Sequence, residues 1–402
     1  MVRCQGFRRA RAPQVLVAIA VLGLVMPAAR AAVPVLPSER YIVMLDPAVG
    51  EAKSVAREQA GRARGTVESV FGAVKGYTAK LRSNELDAIR RDPRTRLVVK
   101  DTVVRHMDAP LVEQTGAPFG VDRVDQPNLP LNGTFAANHD GDGVTVYVID
   151  SGIRAGHAEF GNRASVGADF VRDGRNGVDC DGHGTHVAGI IGGSTYGVAK
   201  KVRLVAVRVL NCYGSGTASR LIAAVNWVAE NHVPNSVANL SIGGAASVAV
   251  DAAVTAAVGR GVAFTVAAGN GGLLGGTNAC NVSPARVAIP GVMTIGATDS
   301  RDARASFSNY GACVDWFAPG VGIKSAWRTS NTATKTLSGT SMAAPFTAGV
   351  AALYLDAHPT TSPAGVEAGL LALSQDSALV QNSRTPVEHS HIVFTGGADA
   401  GL

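Results

Sequence analysis

An aspartate, a histidine and a serine, three residue types that together can catalyse nucleophilic attack, each occur in a glycine-containing segment of this chain. Asp150 lies in Val-Ile-Asp-Ser-Gly, His183 in Asp-Gly-His-Gly-Thr-His and Ser341 in Ser-Gly-Thr-Ser-Met-Ala-Ala-Pro. In such a set the histidine takes the proton of the serine hydroxyl, and the aspartate orients the imidazole. Each segment alone is also typical of a turn or a helix cap, so its chemistry depends on where the fold places it.

Two further residues extend this interpretation or compete with it. Asn270 ends Ala-Ala-Gly-Asn, and its amide could donate a hydrogen bond to a developing oxyanion, although a turn asparagine has the same pattern. His183 and His186 are three residues apart on a predicted helix, which would also suit metal ligation in a zinc-dependent hydrolase. The glutamate of the His-Glu-x-x-His zinc motif is absent, which disfavours this alternative.

The predicted elements alternate between strands and helices from about residue 121 onward. Asp150 directly follows an apolar strand at 144–149, whereas His183 and Ser341 begin helices at 183–191 and 341–357. Further strands are predicted at 203–209, 237–242, 262–267 and 292–297, and further helices at 218–231 and 248–259. Near-continuous apolar strands between helices indicate an α/β fold with a doubly wound, mostly parallel sheet, and active sites gather at the carboxyl ends of such strands.

The N-terminal part of the chain shows different patterns before that alternation begins. Residues 1–31 combine arginines, an apolar run and a small-x-small cleavage site at 29–31, which is typical of a secretory signal peptide. A membrane anchor is the alternative, but the run is short of the roughly 20 residues that a span needs. Residues 38–106 follow the order β-α-β-β-α-β of a small ferredoxin-like α+β unit, and residues 107–120 form a linker.

Composition and charge narrow the class of protein. Hydrophobic residues make up 46% and charged residues 17% of the chain, which is typical of a globular protein. The net charge of +6 would suggest a nucleic-acid partner, but residues 1–111 hold 19 Lys and Arg against 10 Asp and Glu, and residues 112–402 hold 18 against 21. If the N-terminal part is removed on maturation, the remaining chain is mildly acidic, and the charge then gives no support for nucleic-acid binding.

The chain has five cysteines, and one of them, Cys4, leaves with the predicted signal peptide. The remaining four are Cys180, Cys212, Cys280 and Cys313. An even number in an exported chain predicts disulfides, and three pairings are open. A four-thiolate zinc site is the alternative, but it is disfavoured because no Cys-x-x-Cys spacing occurs.

The order of Asp150, His183 and Ser341 along the chain is the one that subtilisin has among the convergent catalytic triads. Residues 118–394 resemble the subtilisin-like serine peptidases, and within them the proteinase K branch with its aqualysin-like secreted bacterial members. The resemblance rests on VIDSG (148–152), DGHGTHVAG (181–189), NLSIGG (239–244), AAGN (267–270), SFSNYG (306–311), FAPG (317–320) and SGTSMAAP (338–345). It implies the same α/β fold and the hydrolysis of peptide bonds.

The resemblance implies a role for each of these residues. Ser341 would attack the scissile carbonyl and form an acyl-enzyme, His183 would act as general base and then general acid, and Asp150 would orient the imidazole. The Ser341 N–H and the Asn270 side chain would bind the oxyanion. A catalytically silent pseudoenzyme that binds peptides is the alternative, which the intact triad and oxyanion positions disfavour.

The resemblance also implies two segments that pair with an extended substrate, and a pocket for the side chain of the P1 residue beside the second segment. The pocket would be bounded by a third segment after a strand. The three segments are Gly214, Ser215 and Gly216; Ser241, Ile242 and Gly243; and Ala267, Ala268 and Gly269. Because the pocket lining is small and uncharged, we expect a broad specificity with an apolar or aromatic residue at P1.

Calcium is the ion that the resemblance implies. The first site would consist of the backbone carbonyls of Pro290 and Val292 and the carboxylate of Asp315, since calcium prefers oxygen ligands. A second site, for which an ordinary polar loop is the alternative, would involve Asp122, Asp125 and Gln126.

The resemblance finally implies a secreted precursor. Residues 38–106 resemble an inhibitory propeptide that covers the substrate cleft, assists folding and is removed by self-cleavage, which we expect between Met107 and Glu113. The peptidase domain, residues 121–394, would act outside the cell as a monomer with the disulfides Cys180–Cys212 and Cys280–Cys313. Its partners would be polypeptide substrates and its own propeptide, without stable membrane association.

Phe346 stands where these peptidases commonly have histidine, so we expect altered packing there.

Overall fold

The structure is a computed structural model, and it describes residues 38–72, 75–101, 112–271, 275–374 and 391–396. The predicted signal peptide and most of the predicted cleavage junction lie outside the described residues. The chain divides into two compact units, residues 1–105 and residues 106–402. None of the described helices is both long enough and apolar enough to cross a membrane.

The N-terminal unit has the element order that the sequence predicts. Its elements are β1 Ser38–Leu45, α1 Ala52–Arg62, β2 Thr66–Phe71, β3 Gly76–Arg82, α2 Leu86–Arg90 and β4 Thr95–Lys100. The strands form one antiparallel sheet in the order β2-β3-β1-β4. Alternate residues of β1, including Val43 and Leu45, pack with Tyr77 and with Ile89 of α2 in a small core. Every second side chain of β1 thus faces the same side of the sheet, and both helices pack against that side.

The C-terminal unit contains the remaining elements. Its strands are β5 Val112–Thr115, β6 Thr134–Ala137, β7 Thr145–Asp150, β8 Ala164–Asp169, β9 Arg203–Arg208, β10 Ser236–Leu240, β11 Gly244–Ala245, β12 Ala263–Ala267, β13 Val282–Ser283, β14 Val292–Thr298, β15 Trp316–Pro319, β16 Ile323–Ala326 and β17 Thr334–Leu337. Its helices are α3 Phe119–Val124, α4 His183–Gly192, α5 Ala218–Asn231, α6 Val248–Val258, α7 Thr340–Ala357 and α8 Pro363–Leu373.

A seven-stranded parallel sheet forms the centre of this unit. Its order is β15-β14-β12-β10-β7-β9-β8, and every neighbouring pair runs parallel. From β7 the chain passes to β8 and back to β9, and it then crosses to β10 on the other side of β7 and continues outward to β15. The winding therefore reverses between β7 and β10, and a crevice forms at the carboxyl ends of the strands at such a point.

Helices cover both faces of this sheet because its strands are apolar on both sides. On β7, Val146 and Val148 belong to one core with α4 and α7, whereas Tyr147 and Ile149 belong to a second core with α5 and α6. All four side chains are buried, and burial of each aliphatic one contributes roughly 1.5–3 kcal/mol. The doubly wound α/β fold that the sequence predicts is confirmed.

Several boundaries differ from the prediction, and two of them bear on function. The strand predicted at 237–242 ends at Leu240, so Ser241 and Ile242 continue beyond the edge of the sheet. The helix predicted to begin at Ser341 begins one residue earlier, at Thr340. Short strands such as β8 and β15 are not predicted, because a run of four to six residues without a clear apolar period is ambiguous.

Candidate active site

Asp150 and His183 meet at the carboxyl end of β7. Asp150 is the last residue of β7 and is fully buried, and His183 is the first residue of α4. The imidazole Nδ1 atom lies 2.8 Å from Asp150 Oδ1 and 2.9 Å from Oδ2. Gly182 has a φ of 114° before the helix, and a Cβ at Gly184 would clash with the carbonyl oxygen of Gly152. Glycine at these positions therefore lets the start of the helix approach the strand end closely.

The surrounding acids govern the charge on His183. Burial disfavours the imidazolium, but the carboxylate of Asp150, with those of Asp181 and Asp179, outweighs burial and raises the pKa of His183. The side chain is 23% exposed, so a ligand in the cleft can reach it. Because a carboxylate holds Nδ1, the Nε2 atom is available to take a proton, and the ring can act as a general base.

A second buried carboxylate, Asp179, joins the segment after β7 to the start of α4. It accepts hydrogen bonds from the Ser151 hydroxyl, from the hydroxyl and N–H of Thr185, and from the N–H groups of Asp181 and Gly182. Burial raises the pKa of Asp179 although these bonds oppose the shift. Sequence reasoning missed Asp179, because an aspartate in a polar loop carries no signal of its own.

Ser341 lies in the first turn of α7, where backbone N–H groups have no intrahelical partner. Its hydroxyl donates a hydrogen bond to the Ser241 carbonyl oxygen, and the Ser241 hydroxyl donates one to the Ser341 carbonyl oxygen, both at 2.9 Å. The Ser341 hydroxyl therefore points to the segment after β10 and not to His183. The Ser341 hydroxyl must leave this acceptor before it can give its proton to the imidazole, since catalytic hydrogen bonds often form only when a substrate is bound.

A chain of buried polar side chains supports the Ser241–Ser341 contact from within the sheet. The Thr265 hydroxyl of β12 donates to Asn239 Oδ1, and Asn239 Nδ2 donates to the Ser241 hydroxyl, each at 2.9 Å. Thr265 and Asn239 are fully buried. Because buried polar groups cost free energy unless they are paired, this chain fixes Ser241 and, through it, Ser341. No sequence signal distinguishes Asn239 and Thr265 from ordinary strand residues.

Asn270 lies after β12, opposite the start of α7. Its Oδ1 atom accepts hydrogen bonds from the Thr340 N–H at 2.9 Å and from the Thr340 hydroxyl at 3.1 Å. The Nδ2 atom lies 3.3 Å from the position that a Cβ at Gly339 would take, so the amide group faces the start of the helix. The Thr340 hydroxyl also accepts a hydrogen bond from the Gly269 N–H. Thr340 thus orients the amide so that Asn270 Nδ2 and the Ser341 N–H can donate to one anionic oxygen.

An open cleft of about 990 Å³ runs past His183, Asn270 and Ser341. It is also lined by Gly214, Ser215, Gly216, Ser241, Ile242, Gly243, Ala267 and Gly269. The structure therefore brings the two predicted substrate-pairing segments to one groove. Ala268 differs from the expectation, because it is fully buried and its carbonyl oxygen accepts a hydrogen bond from Asn309 Nδ2. It supports the wall of the cleft from behind.

Val282 also lines the cleft, and the sequence did not indicate it. Its Cγ1 atom lies 3.2 Å from the position of a Cβ at Gly243 and 3.8 Å from that at Gly269. Val282 thus closes, with an apolar side chain, the space between the two segments expected to flank the P1 pocket. Only the fold could reveal this, because Val282 is distant from both segments along the chain.

Comparison with known proteins identifies the family of this chain. Residues 141–386 match the peptidase S8 profile, the Subtilase family. The chain belongs to this family of serine peptidases. It is 54% identical over 307 residues to alkaline serine exoprotease A of Vibrio alginolyticus, and 49% identical over 306 residues to an extracellular serine proteinase of Thermus sp. strain Rt41A.

The extent of these likenesses differs between the relatives. The alignments cover 75% and 76% of this chain, and 56% of the Vibrio protein and 72% of the Thermus protein, so the chain spans little more than half the length of the former. The crystal structure of a cold-adapted subtilisin-like serine proteinase is also similar, with a TM-score of 0.65 and 50% identity. The match covers 70% of this chain and 99% of that one.

Two disulfides brace the cleft region of this subtilase. Cys180 is joined to Cys212, and Cys280 is joined to Cys313, which are the pairs that the resemblance implies. The first disulfide connects the loop before His183 with the loop that leads into the 214–216 segment. Sequence separations of 32 and 33 residues correspond to about 3–4 kcal/mol of stabilisation each in the chain-entropy account.

Asp315 lies where a cation would be stabilised. Burial raises the pKa of Asp315 to about 7, and the charge of Glu367 acts in the same direction. Asp315 Oδ2 accepts a hydrogen bond at 2.7 Å from the N–H of Thr294 in β14, the strand that begins at Val292. A partly buried carboxylate with an acidic neighbour fits the oxygen ligation that calcium prefers, so Asp315 is chemically suitable as a ligand of the predicted site.

Asp122, Asp125 and Gln126 form the second predicted calcium cluster. Asp122 Oδ1 accepts a hydrogen bond from Gln126 Nε2, and Asp125 Oδ2 accepts one from the Ala136 N–H at 2.8 Å. Within the described residues, Asp125 Oδ1 is buried without a hydrogen-bond partner. Burial and the charge of Asp122 raise the pKa of Asp125 to about 7. An unpaired buried carboxylate oxygen beside a second carboxylate fits a calcium ion better than an ordinary polar loop.

The zinc alternatives do not fit the geometry. His186 is buried, and its Nε2 atom lies 3.2 Å and 3.0 Å from the carbonyl oxygens of Ile323 and Lys335. Burial lowers the pKa of His186 to about 4. Since Asp150 holds the Nδ1 atom of His183, the two histidines have separate structural partners. All four remaining cysteines are in disulfides, which excludes a four-thiolate site.

Phe346 is part of the core of the C-terminal unit. It is almost fully buried, and a Cβ at Gly120 of α3 would clash with its ring. The glycine therefore provides the space that the phenylalanine ring needs, and Phe346 is not among the residues that line the cleft; altered packing relative to a histidine stays a prediction.

Proposed function

We propose that this subtilase is a secreted serine endopeptidase that cleaves polypeptides with Ser341, His183 and Asp150. The observation that carries the proposal is the contact of His183 Nδ1 with the Asp150 carboxylate in a cleft that Ser341 and Asn270 also line. A carboxylate on Nδ1 leaves Nε2 available for the serine proton, as nucleophilic catalysis by a hydroxyl requires.

The proposed reaction begins when the Ser341 hydroxyl leaves the Ser241 carbonyl oxygen and gives its proton to His183 Nε2. Ser341 Oγ attacks the substrate carbonyl carbon, and the resulting oxyanion accepts hydrogen bonds from Asn270 Nδ2 and the Ser341 N–H. The C–N bond breaks as His183 returns the proton to the leaving amine, which leaves an acyl group on Ser341. Water then gives a proton to His183 and attacks the ester carbonyl carbon; the bond to Ser341 Oγ breaks, and His183 returns the proton to this oxygen while Asp150 holds Nδ1.

The proposed specificity is broad, with an apolar or aromatic residue at P1. Val282 and the glycines on either side of the pocket support it, because they offer apolar surface and no charge. Peptides that differ only at P1 would test it. We expect higher kcat/KM for phenylalanine or leucine than for lysine or glutamate, and a faster reaction with the charged residues would contradict the proposed pocket.

We also propose that the protein is made as an exported precursor that processes itself. The order of the N-terminal unit before the peptidase unit supports this. Intact-mass and N-terminal analysis of secreted wild type, Ser341→Ala and the exposed-site control Ser330→Ala provides the test. We expect cleavage between Met107 and Glu113 in wild type and control but not in Ser341→Ala. Full processing of the purified Ser341→Ala protein would show that another peptidase makes the cut.

A catalytically silent peptide-binding protein is the competing proposal, and labelling distinguishes the two. A fluorophosphonate reacts with a serine hydroxyl only if a base activates it. We expect stoichiometric labelling of wild type and none of Ser341→Ala. An unlabelled wild type that still binds peptides would favour the silent protein.

We further propose that calcium has a structural role at the two acidic clusters. Asp315, with the carbonyls of Pro290 and Val292, would hold one ion, and Asp122, Asp125 and Gln126 would hold the other. Calcium would supply positive charge to the Asp125 and Asp315 carboxylates, whose charged forms burial disfavours, and it would take no part in the chemical steps.

A further inference from the structure

His186 lies about one turn after His183 in α4, and the proposed reaction does not use it. Its Nε2 atom lies 3.2 Å from the Ile323 carbonyl oxygen and 3.0 Å from the Lys335 carbonyl oxygen. Because carbonyl oxygens can only accept hydrogen bonds, Nε2 must carry the ring hydrogen and donate to both. Burial lowers the pKa of His186 to about 4, so the ring is neutral at neutral pH.

The two acceptors lie on opposite strands of one hairpin, residues 323–337, which contains β16 and β17. A third hydrogen bond joins this hairpin to the same residue of α4, because the Ser325 hydroxyl donates to the His186 carbonyl oxygen at 2.8 Å. A Cβ at Gly189, one turn further along α4, would clash with Ser325 Oγ. Glycine there lets the helix and the hairpin pack closely, and His186 holds both strands to the helix.

The hairpin also contacts the residues that directly precede His183. Trp327 follows β16, and a Cβ at Gly182 would clash with its ring. Arg328 Nε donates a hydrogen bond to the Asp181 carbonyl oxygen at 2.7 Å. The position of the hairpin therefore determines the position of the loop that leads into α4.

The C-terminal end of the hairpin leads to the proposed nucleophile. β17 ends at Leu337, and three residues separate it from Ser341. In this connection the Gly339 N–H donates to the Gly320 carbonyl oxygen at 2.8 Å. One hairpin thus contacts the loop before the general base and continues into the start of α7.

We propose that His186 is a positioning residue that fastens this hairpin to α4 and thereby fixes His183 and Ser341 relative to each other. The inference rests on the proposed peptidase function and adds a residue that supports its geometry. The substrate-pairing segments at 214–216 and 241–243 lie outside the hairpin and α4. Loss of the His186 hydrogen bonds should therefore slow the chemical step without weakening substrate binding. A displacement of reacting groups by about 1 Å can reduce a rate by about 100-fold.

His186→Leu and His186→Gln provide the test, with a chromogenic peptide that has phenylalanine at P1. Leucine cannot donate a hydrogen bond, whereas glutamine Nε2 is as many bonds from Cβ as histidine Nε2 and carries two hydrogens for the two carbonyls. We expect kcat per active site to fall about 10- to 100-fold in His186→Leu and to stay within about fivefold of wild type in His186→Gln. KM should change by less than about twofold in both.

Active sites are counted by the end point of fluorophosphonate labelling, so that misfolded molecules do not enter kcat. Val228→Ala is the matched control for stability, because Val228 is fully buried in the other core and does not line the cleft. It should lower Tm and leave kcat per active site unchanged. A His186 that only stabilised the fold would behave in the same way.

Ser325→Ala removes only the third hydrogen bond and replaces His186→Leu as the test if that variant does not fold. We expect kcat per active site to fall about three- to tenfold with KM unchanged. Wild-type kcat per active site in the variant that folds, or a glutamine variant as slow as the leucine variant, would overturn the inference while wild-type hydrolysis upheld the proposed function. A wild-type protein that neither reacts with the fluorophosphonate nor cleaves the peptide would overturn both.

Discussion

Thr340→Val removes one hydroxyl and keeps the shape of the side chain. That hydroxyl donates to Asn270 Oδ1 at 3.1 Å and accepts from the Gly269 N–H at 3.1 Å. Valine retains the bond from the residue 340 N–H to Asn270 Oδ1 at 2.9 Å, so the amide keeps one of its two anchors. One such hydrogen bond contributes about 1–1.5 kcal/mol, well below the effect of deleting an oxyanion donor. We therefore expect kcat to fall about 5–12-fold.

The assay is steady-state hydrolysis of a chromogenic peptide with phenylalanine at P1. KM should change by less than about twofold, because the amide orientation matters only once the oxyanion forms. Thr347→Val is the matched control on the same helix. The Thr347 hydroxyl is buried and has no hydrogen-bond partner within the described residues, so its removal should leave kcat unchanged and should not lower Tm.

A double-mutant comparison with Asn270→Ala decides whether Thr340 acts through the amide. In that background Thr340→Val should reduce kcat much less than in wild type, because the group that it orients is gone. The proposed role of the hydroxyl is wrong if Thr340→Val raises KM without lowering kcat. It is also wrong if Thr340→Val reduces kcat by the same factor in wild type and in Asn270→Ala.

Three further predictions follow from the charges and crosslinks of the site. The raised pKa of His183 predicts that kcat/KM rises with pH through a midpoint above that of free imidazole, because the base must be neutral; a pH–rate profile with a lower midpoint would contradict this. Replacing Cys180 and Cys212 together by serine should lower the free energy of unfolding by about 3–4 kcal/mol, and denaturant titration would reveal an unchanged stability if loop closure contributed nothing. The raised pKa values of Asp125 and Asp315 keep these groups protonated at low pH, so the calcium-free protein should lose stability as pH rises through about 7. A chelator should therefore lower Tm more at about pH 8 than at about pH 5, and equal losses in thermal melts at both would argue against calcium at these carboxylates.

The amino-acid sequence by itself was sufficient to predict the fold class. It also indicated the candidate nucleophile Ser341, the candidate base His183 and the carboxylate of Asp150 that would orient it. The apolar runs that became β7, β10, β12 and β14 are continuous, and this pattern requires helices on both faces of a parallel sheet. Asp150 and His183 carry local signals, namely a strand end and a glycine-flanked helix start. Such signals depend only on residues that are near in the sequence, so they can be recognised before the tertiary structure is known.

The tertiary structure alone decided how these groups are held. Ser341 and Ser241 exchange hydrogen bonds across 100 residues of sequence, and Asn239 and Thr265 support them from two adjacent strands. Thr340 orients the Asn270 amide across 70 residues. The physical reason is that these contacts join segments that only strand order and helix packing bring together, and polar residues at such positions look like ordinary strand, turn or cap residues until their partners are known.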